Sequence, residues 1–156
     1  TQGPLTRKDQ LTYLEYQIND AVEKGARLLL GGKRLPGPGY FFAPTVLGDS
    51  NHGMVVMREE SFGPIIGIMK VSSDEEALRL MNNTDYGLTA AIFSRDLERG
   101  KGLLQRLNTG TGYLNCCDRV SGYSPWSGRG QSGLGTTLSQ HGLFAFVNPK
   151  AYHLRD

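Results

Sequence analysis

A chain of 156 residues suits one domain, and a fold of that size buries roughly 70% of its extended-chain surface, so its core needs no covalent staple. The 17 basic and 15 acidic residues leave a net charge of +2 spread along the chain, without the basic stripe that nucleic-acid binding requires. Apolar runs such as Leu28-Leu29-Leu30 fall well short of the roughly 20 residues that span a bilayer, and the two cysteines are adjacent, at 116 and 117, so they cannot bridge distant segments. Few cysteines and no disulfide framework point to a reducing, cytoplasmic setting. The start of the chain carries neither an initiator Met nor a basic-then-apolar leader, and Thr1 reads as a cut within a longer chain.

From Thr6 to Ala26, Leu11, Leu14, Ile18, Ala21 and Val22 recur at spacings of three and four, which predicts an amphipathic helix ended by Gly25. Arg27 to Leu30 predicts a strand. Lys33 to Gly39, rich in Pro and Gly, predicts a loop into a second strand over Tyr40 to Leu47, a hairpin-like excursion. A strand over Pro64 to Val71 follows, then Ser73-Asp74-Glu75-Glu76 with capping-box spacing and a helix through Met81. The order continues as a strand over 88–93, a helix over 96–107 and a strand over 111–116. Helical connections of about ten to fifteen residues between buried strands imply a mostly parallel twisted sheet with flanking helices, class α/β. From Asp118 to Gly135 the chain becomes a long polar, Gly-rich loop, a usual place for function. Residues 151–154 predict an edge strand.

One hexapeptide concentrates chemistry. Glu59-Glu60-Ser61-Phe62-Gly63-Pro64 places two carboxylates, an aromatic ring and a tight turn at the entrance to the strand Ile65-Ile66-Gly67-Ile68-Met69. It resembles the Glu-Glu-x-Phe-Gly-Pro signature of the aldehyde dehydrogenase superfamily, and the flanking segments Gly39 to Val46 and Asn82 to Ala90 resemble that family too. The resemblance covers nearly the whole chain and implies that residues 1–156 are the C-terminal part of an aldehyde dehydrogenase catalytic domain, with an oligomerisation strand over about 150–155. It implies that the segments carrying the nucleophilic cysteine and the general-base glutamate lie outside this chain, which then holds no catalytic residue.

The resemblance also assigns roles. Glu60 would accept hydrogen bonds from the nicotinamide ribose hydroxyls of NAD or NADP, a task suited to an ionised carboxylate; on composition alone it is a surface acid. Phe62 would wall the nicotinamide, although a phenylalanine here would otherwise be assigned to the core. Asp118, Arg119, Val120 and Trp126 would surround the mouth of the aldehyde tunnel. Trp126 serves equally as an apolar anchor for its loop, and Arg119 either reads an anionic substrate or is a solvated loop residue.

Gly128-x-Gly130-x-x-Gly133 matches the dinucleotide fingerprint in letters only. No strand directly precedes it, and the position about twenty residues on, where an acid is needed, holds His153 and Leu154. The segment instead resembles the family's Pro-Phe-Gly-Gly and Ser-Gly-x-Gly loop, with Gly130 in place of its lysine and Thr137 in place of a glutamate that some members carry. Cys116 and Cys117 stand in Asn-Cys-Cys-Asp and not in the family's nucleophile setting, so they read as small residues near a buried strand end. His52, His141 and His153 lack partners at ligand spacing, and no metal site is expected.

The resemblance therefore implies part of an NAD(P)-dependent enzyme that oxidises a small aldehyde to a carboxylic acid, near the betaine-aldehyde or semialdehyde type, active as a homo-oligomer and without nucleic-acid or membrane partners. The fragment alone would be inactive. Two alternatives stay open: a non-catalytic oligomerisation module derived from the same fold, and a CoA-acylating or acyl-phosphate-reducing relative.

Overall fold

The computed structural model describes residues 2–117 and 119–156, in two compact units that meet between Ser72 and Ser73. The first unit is built on one helix, α1 (Lys8–Glu23). Leu11, Leu14, Ile18 and Ala21 form its buried stripe, joined by the polar Gln10 and Gln17. Its end is a Schellman turn: Gly25 takes φ 98°, its N–H donates to Val22 O at 3.0 Å, and Ala26 N–H donates to Ala21 O at 2.8 Å. The left-handed glycine stops the helix, as the sequence predicts for Gly25. Ala26 then joins the core.

Three short strands follow, β1 (Arg27–Leu30), β2 (Thr45–Gly48) and β3 (Ile65–Gly67), in spatial order β1-β2-β3. The first pair is antiparallel, with Arg27 opposite Gly48 and Leu28 opposite Leu47; the second is parallel, with Thr45 opposite Ile65. β2 starts five residues later than its apolar pattern suggests, immediately after Pro44, which has no N–H for a ladder. The 31–44 excursion is hairpin-like as expected, with a bridge between Arg34 and Phe42. The Arg34 guanidinium ties it to α1 by two bonds to Glu15, at 2.7 and 2.6 Å. Leu11, Leu14, Ile18, Ala21, Ala26, Phe42, Leu47 and Met54 make one core.

The second unit opens with α2 (Asp74–Met81), whose N-cap Ser73 Oγ accepts Glu76 N–H at 3.1 Å, the serine contact of the capping box expected from sequence. Strand β4 (Thr89–Ile92), helix α3 (Leu97–Leu104) and strand β5 (Thr111–Leu114) make a parallel crossover, with Thr89 opposite Thr111 and Ile92 opposite Leu114. Asp96 caps α3 through Arg99 N–H at 3.0 Å. Helix and strand pack closely because glycines face leucines: a Cβ on Gly100 would lie 2.5 Å from Leu114 Cδ1, and one on Gly112 would lie 3.1 Å from Leu104 Cδ2.

The architecture is α/β, and its parallel pairs are β2–β3 and β4–β5. The long loop contains more order than its composition suggests, since β6 (Trp126–Ser127) pairs antiparallel with β7 (Thr136–Thr137). A short helix, α4 (Ser139–Leu143), and a 3-10 turn over Phe144–Phe146 follow, neither signalled by apolar spacing. The strand expected over 150–155 forms no ladder within this chain, and Tyr152 and Leu154 are exposed. No described helix is long and apolar enough to cross a membrane.

Replacing Ser73 by Ala is expected to cost about 1 kcal/mol, read as a lower urea midpoint with an unchanged slope by far-UV circular dichroism. An unchanged midpoint would mean that the cap does not hold α2.

Candidate functional site

Polar and apolar groups at successive turns of α1 hold the signature segment. Gln10 Nε2 donates to Ser61 O, and Tyr13 Oη donates to the Glu59 carboxylate. Leu14, fully buried, lies against Gly63, where a Cβ would come within 2.5 Å of its Cδ1. Residues 10, 13 and 14 are neighbours on one helix face by three- and four-residue spacing, so the helix grips positions 59, 61 and 63. The alternate positions, Glu60 and Phe62, are both exposed.

Phe62 adopts φ 42°, a left-handed conformation uncommon for a bulky aromatic residue. Such strain costs on the order of 1–3 kcal/mol and persists only where the surroundings impose it. Here Gln10 on one side and Gly63 against Leu14 on the other impose it. The ring is 75% exposed, so the assignment to the core is excluded within this chain. The exposed ring stands beside the exposed Glu60 carboxylate in sequence, two positions apart.

Burial, with the hydrogen bond to the Glu59 carboxylate adding to it, pushes the Tyr13 phenol up to about 12. Sequence periodicity missed Gln10 and Tyr13 as members of the site. The available signal was the polar residues at positions 10, 13 and 17, along the face of an otherwise apolar stripe.

The other predicted residues belong to the second unit. Asp118 lies outside the described residues. Arg119 is exposed and its carbonyl accepts Tyr113 Oη at 3.1 Å; Val120 is exposed. Trp126 is half-buried in β6, opposite Thr137. Cys116 and Cys117 are exposed free thiols, which corrects the expectation that they sit near a buried strand end as packing residues. The strand ends at Leu114, and Asn115 at φ 56° turns the chain outward. Among the described residues no group of three or more His, Cys, Asp or Glu gathers as metal ligands would.

The glycine-rich segment works as backbone packing. Gly130 bridges Tyr86 and leaves no room for a side chain against Asp85 O, Gln131 N–H donates to Asp85 O at 2.8 Å, and Gly87 N–H donates to Ser132 Oγ at 2.9 Å. A Cβ on Gly128 would lie 2.7 Å from Ser132 O. The segment runs between β6 and β7, with no helix N-terminus to receive a phosphate. These glycines fasten the loop to the 82–88 turn.

The sequence model of the Aldehyde dehydrogenase family matches residues 1–152. The chain belongs to the aldehyde dehydrogenase family. It is 40% identical to the mitochondrial aldehyde dehydrogenase of Homo sapiens over 149 residues, 96% of this chain and 29% of that protein. It is 38% identical to the chloroplastic betaine aldehyde dehydrogenase of Beta vulgaris over 150 residues, 95% of this chain and 30% of that protein. Among solved structures, lactaldehyde dehydrogenase from Escherichia coli superposes with a TM-score of 0.92 at 34% identity, covering 99% of this chain and 32% of that one. Betaine aldehyde dehydrogenase from Staphylococcus aureus in complex with NAD+ superposes with a TM-score of 0.86 at 32% identity, covering 92% of this chain and 29% of that one. The chain thus spans about a third of the length of the aldehyde dehydrogenases it matches, among them one solved in complex with NAD+ and one named for NADP(+).

A tyrosine with folded pKa about 12 and an unfolded value of about 10 keeps its proton in the folded state while the unfolded chain loses it. Its contribution to stability is complete below about pH 10 and disappears as the pH rises toward 12. Tyr13→Phe is expected to flatten the fall in stability over that window, read as urea midpoints measured between about pH 9 and 12. An unchanged fall in stability over that window would contradict the Tyr13–Glu59 bond.

Proposed function

We propose that this chain is the part of an NAD(P)-dependent aldehyde dehydrogenase that positions the nicotinamide end of the cofactor and contributes to the aldehyde tunnel. The observation that carries the reading is the paired exposure of Glu60 and Phe62 on a bend that α1 holds in a left-handed conformation. These residues fit the cofactor: an exposed carboxylate would accept hydrogen bonds from ribose hydroxyls, and an exposed aromatic ring would offer an apolar face to the nicotinamide. When bound, the cofactor supplies the hydride acceptor for oxidation of an aldehyde to an acid. Glu60 holds and orients; Phe62 limits where the ring settles and excludes water from one side.

In the second unit, Arg119 and Val120 with half-buried Trp126 are the proposed tunnel-mouth residues, joined in the proposal by Asp118. An arginine there favours a substrate with a carboxylate, consistent with a semialdehyde acid. Named relatives include a betaine aldehyde dehydrogenase and an NADP+-dependent succinate-semialdehyde dehydrogenase of Deinococcus radiodurans, the latter 38% identical over 148 residues. The exposed Tyr152 and Leu154 support a closing strand over 150–155 that pairs with another copy of the protein. Two free thiols side by side support a reducing compartment such as the cytoplasm.

In the protein that carries this chain, Glu60→Gln is expected to weaken NAD(P) binding about tenfold to a hundredfold, since a charge-assisted hydrogen bond is worth about 1.5–3 kcal/mol. Calorimetric titration reads it, and unchanged affinity would overturn the assignment. The isolated 156-residue chain is expected to give no aldehyde-dependent NAD(P)H; measurable turnover would show that the chemistry resides within these residues.

A further inference from the structure

The exposed pair Cys116–Cys117 has no part in the cofactor and tunnel sites proposed above. It follows β5 after one residue, Asn115, at the carboxyl end of the parallel β4–β5 pair. The base beneath it is fixed: Asn115 N–H donates to Ile92 O at 2.8 Å, Asn115 Oδ1 accepts Ser94 N–H at 2.8 Å, and Asn115 Nδ2 donates to Ser94 O at 2.9 Å. With Asn115 clamped on both edges of its amide and turned at φ 56°, the two thiols that follow are presented to solvent from a rigid strand end.

Adjacent residues joined by a trans peptide have Cα atoms about 3.8 Å apart, below the roughly 4.4 Å at which unstrained disulfides begin. A direct sulfur–sulfur bond between them is therefore disfavoured, and the pair stays a dithiol. A larger atom inserted between the two sulfurs enlarges the ring and removes that strain. Zinc is a poor fit, because it needs four ligands and no third His, Cys, Asp or Glu gathers here among the described residues. An atom that needs only two thiolates, its remaining position already filled, matches the two exposed thiols in number.

We propose that Cys116 and Cys117 form a chelating site for trivalent organoarsenicals. The step is an exchange without redox change. Two As–S bonds form, two S–H bonds and the arsenic–oxygen bond of an arsine oxide break, and the two protons leave with the oxygen as one water. The second thiolate attacks at the high effective concentration that an adjacent residue provides, so the bidentate adduct outlasts any adduct at a single thiol. The site stands independently of the cofactor reading.

The test uses phenylarsine oxide at one equivalent on the full chain, read by intact-mass spectrometry. The expected product is one phenylarsenic unit per chain with loss of both thiol protons, removed by 2,3-dimercaptopropanol and resistant to 2-mercaptoethanol. Cys116→Ser and Cys117→Ser, both at exposed positions and checked for folding by circular dichroism, are each expected to weaken the adduct about tenfold or more. Three results would overturn the proposal: single variants that hold the reagent as tightly as the native chain, a native adduct stripped as readily by the monothiol, or no adduct while both thiols remain titratable.

Discussion

The grip of α1 on residues 59–63 is the constraint on which the first unit depends. One helix face supplies an amide, a phenol and a leucine at consecutive turns, and these hold Ser61, Glu59 and Gly63. With Ser61, Glu59 and Gly63 held by the helix, Glu60 and Phe62 are left exposed. The strained φ of Phe62 is the local cost of that arrangement. The core below sustains it, since Leu14 is both the residue that Gly63 packs on and a member of the buried stripe with Leu11, Ile18 and Ala21. Stability and site geometry share one side chain.

The second unit solves a different problem, that of anchoring a long loop with little apolar content. It does so by bringing backbones together where side chains are absent. Gly130 approaches Asp85, Gly87 lies under Ser132, and the two-residue strands β6 and β7 close the base of the loop. Each contact uses a backbone donor or acceptor that would otherwise need water. A glycine motif that looks like a phosphate cradle in one dimension is a fastening in three.

Much of this was legible in the residues themselves. The spacing of Leu11, Leu14 and Ile18 located α1, Ser73 and Asp96 marked two helix starts that the structure caps at those residues, and the hexapeptide pointed to the family. What was not legible depends on long-range partners. Strand lengths were overestimated because an apolar run continues past the point where a proline or a bend ends the ladder, as at Pro44 and after Gly67. Gln10 and Tyr13 were invisible as site residues because their partners are about fifty positions away in sequence. The thiols of Cys116 and Cys117 were misplaced because burial near a strand end depends on one backbone angle, that of Asn115.

The central claim is that α1 preorganises the Glu60–Phe62 bend for the nicotinamide ribose. Structures of the protein carrying this chain, determined with and without NAD(P), test it most directly. The account predicts ribose hydroxyls within hydrogen-bonding distance of the Glu60 carboxylate, the Phe62 ring against the nicotinamide, and a left-handed Phe62 in both states. A cofactor bound with its ribose away from Glu60, or a Phe62 that turns left-handed only when the cofactor is present, would contradict it.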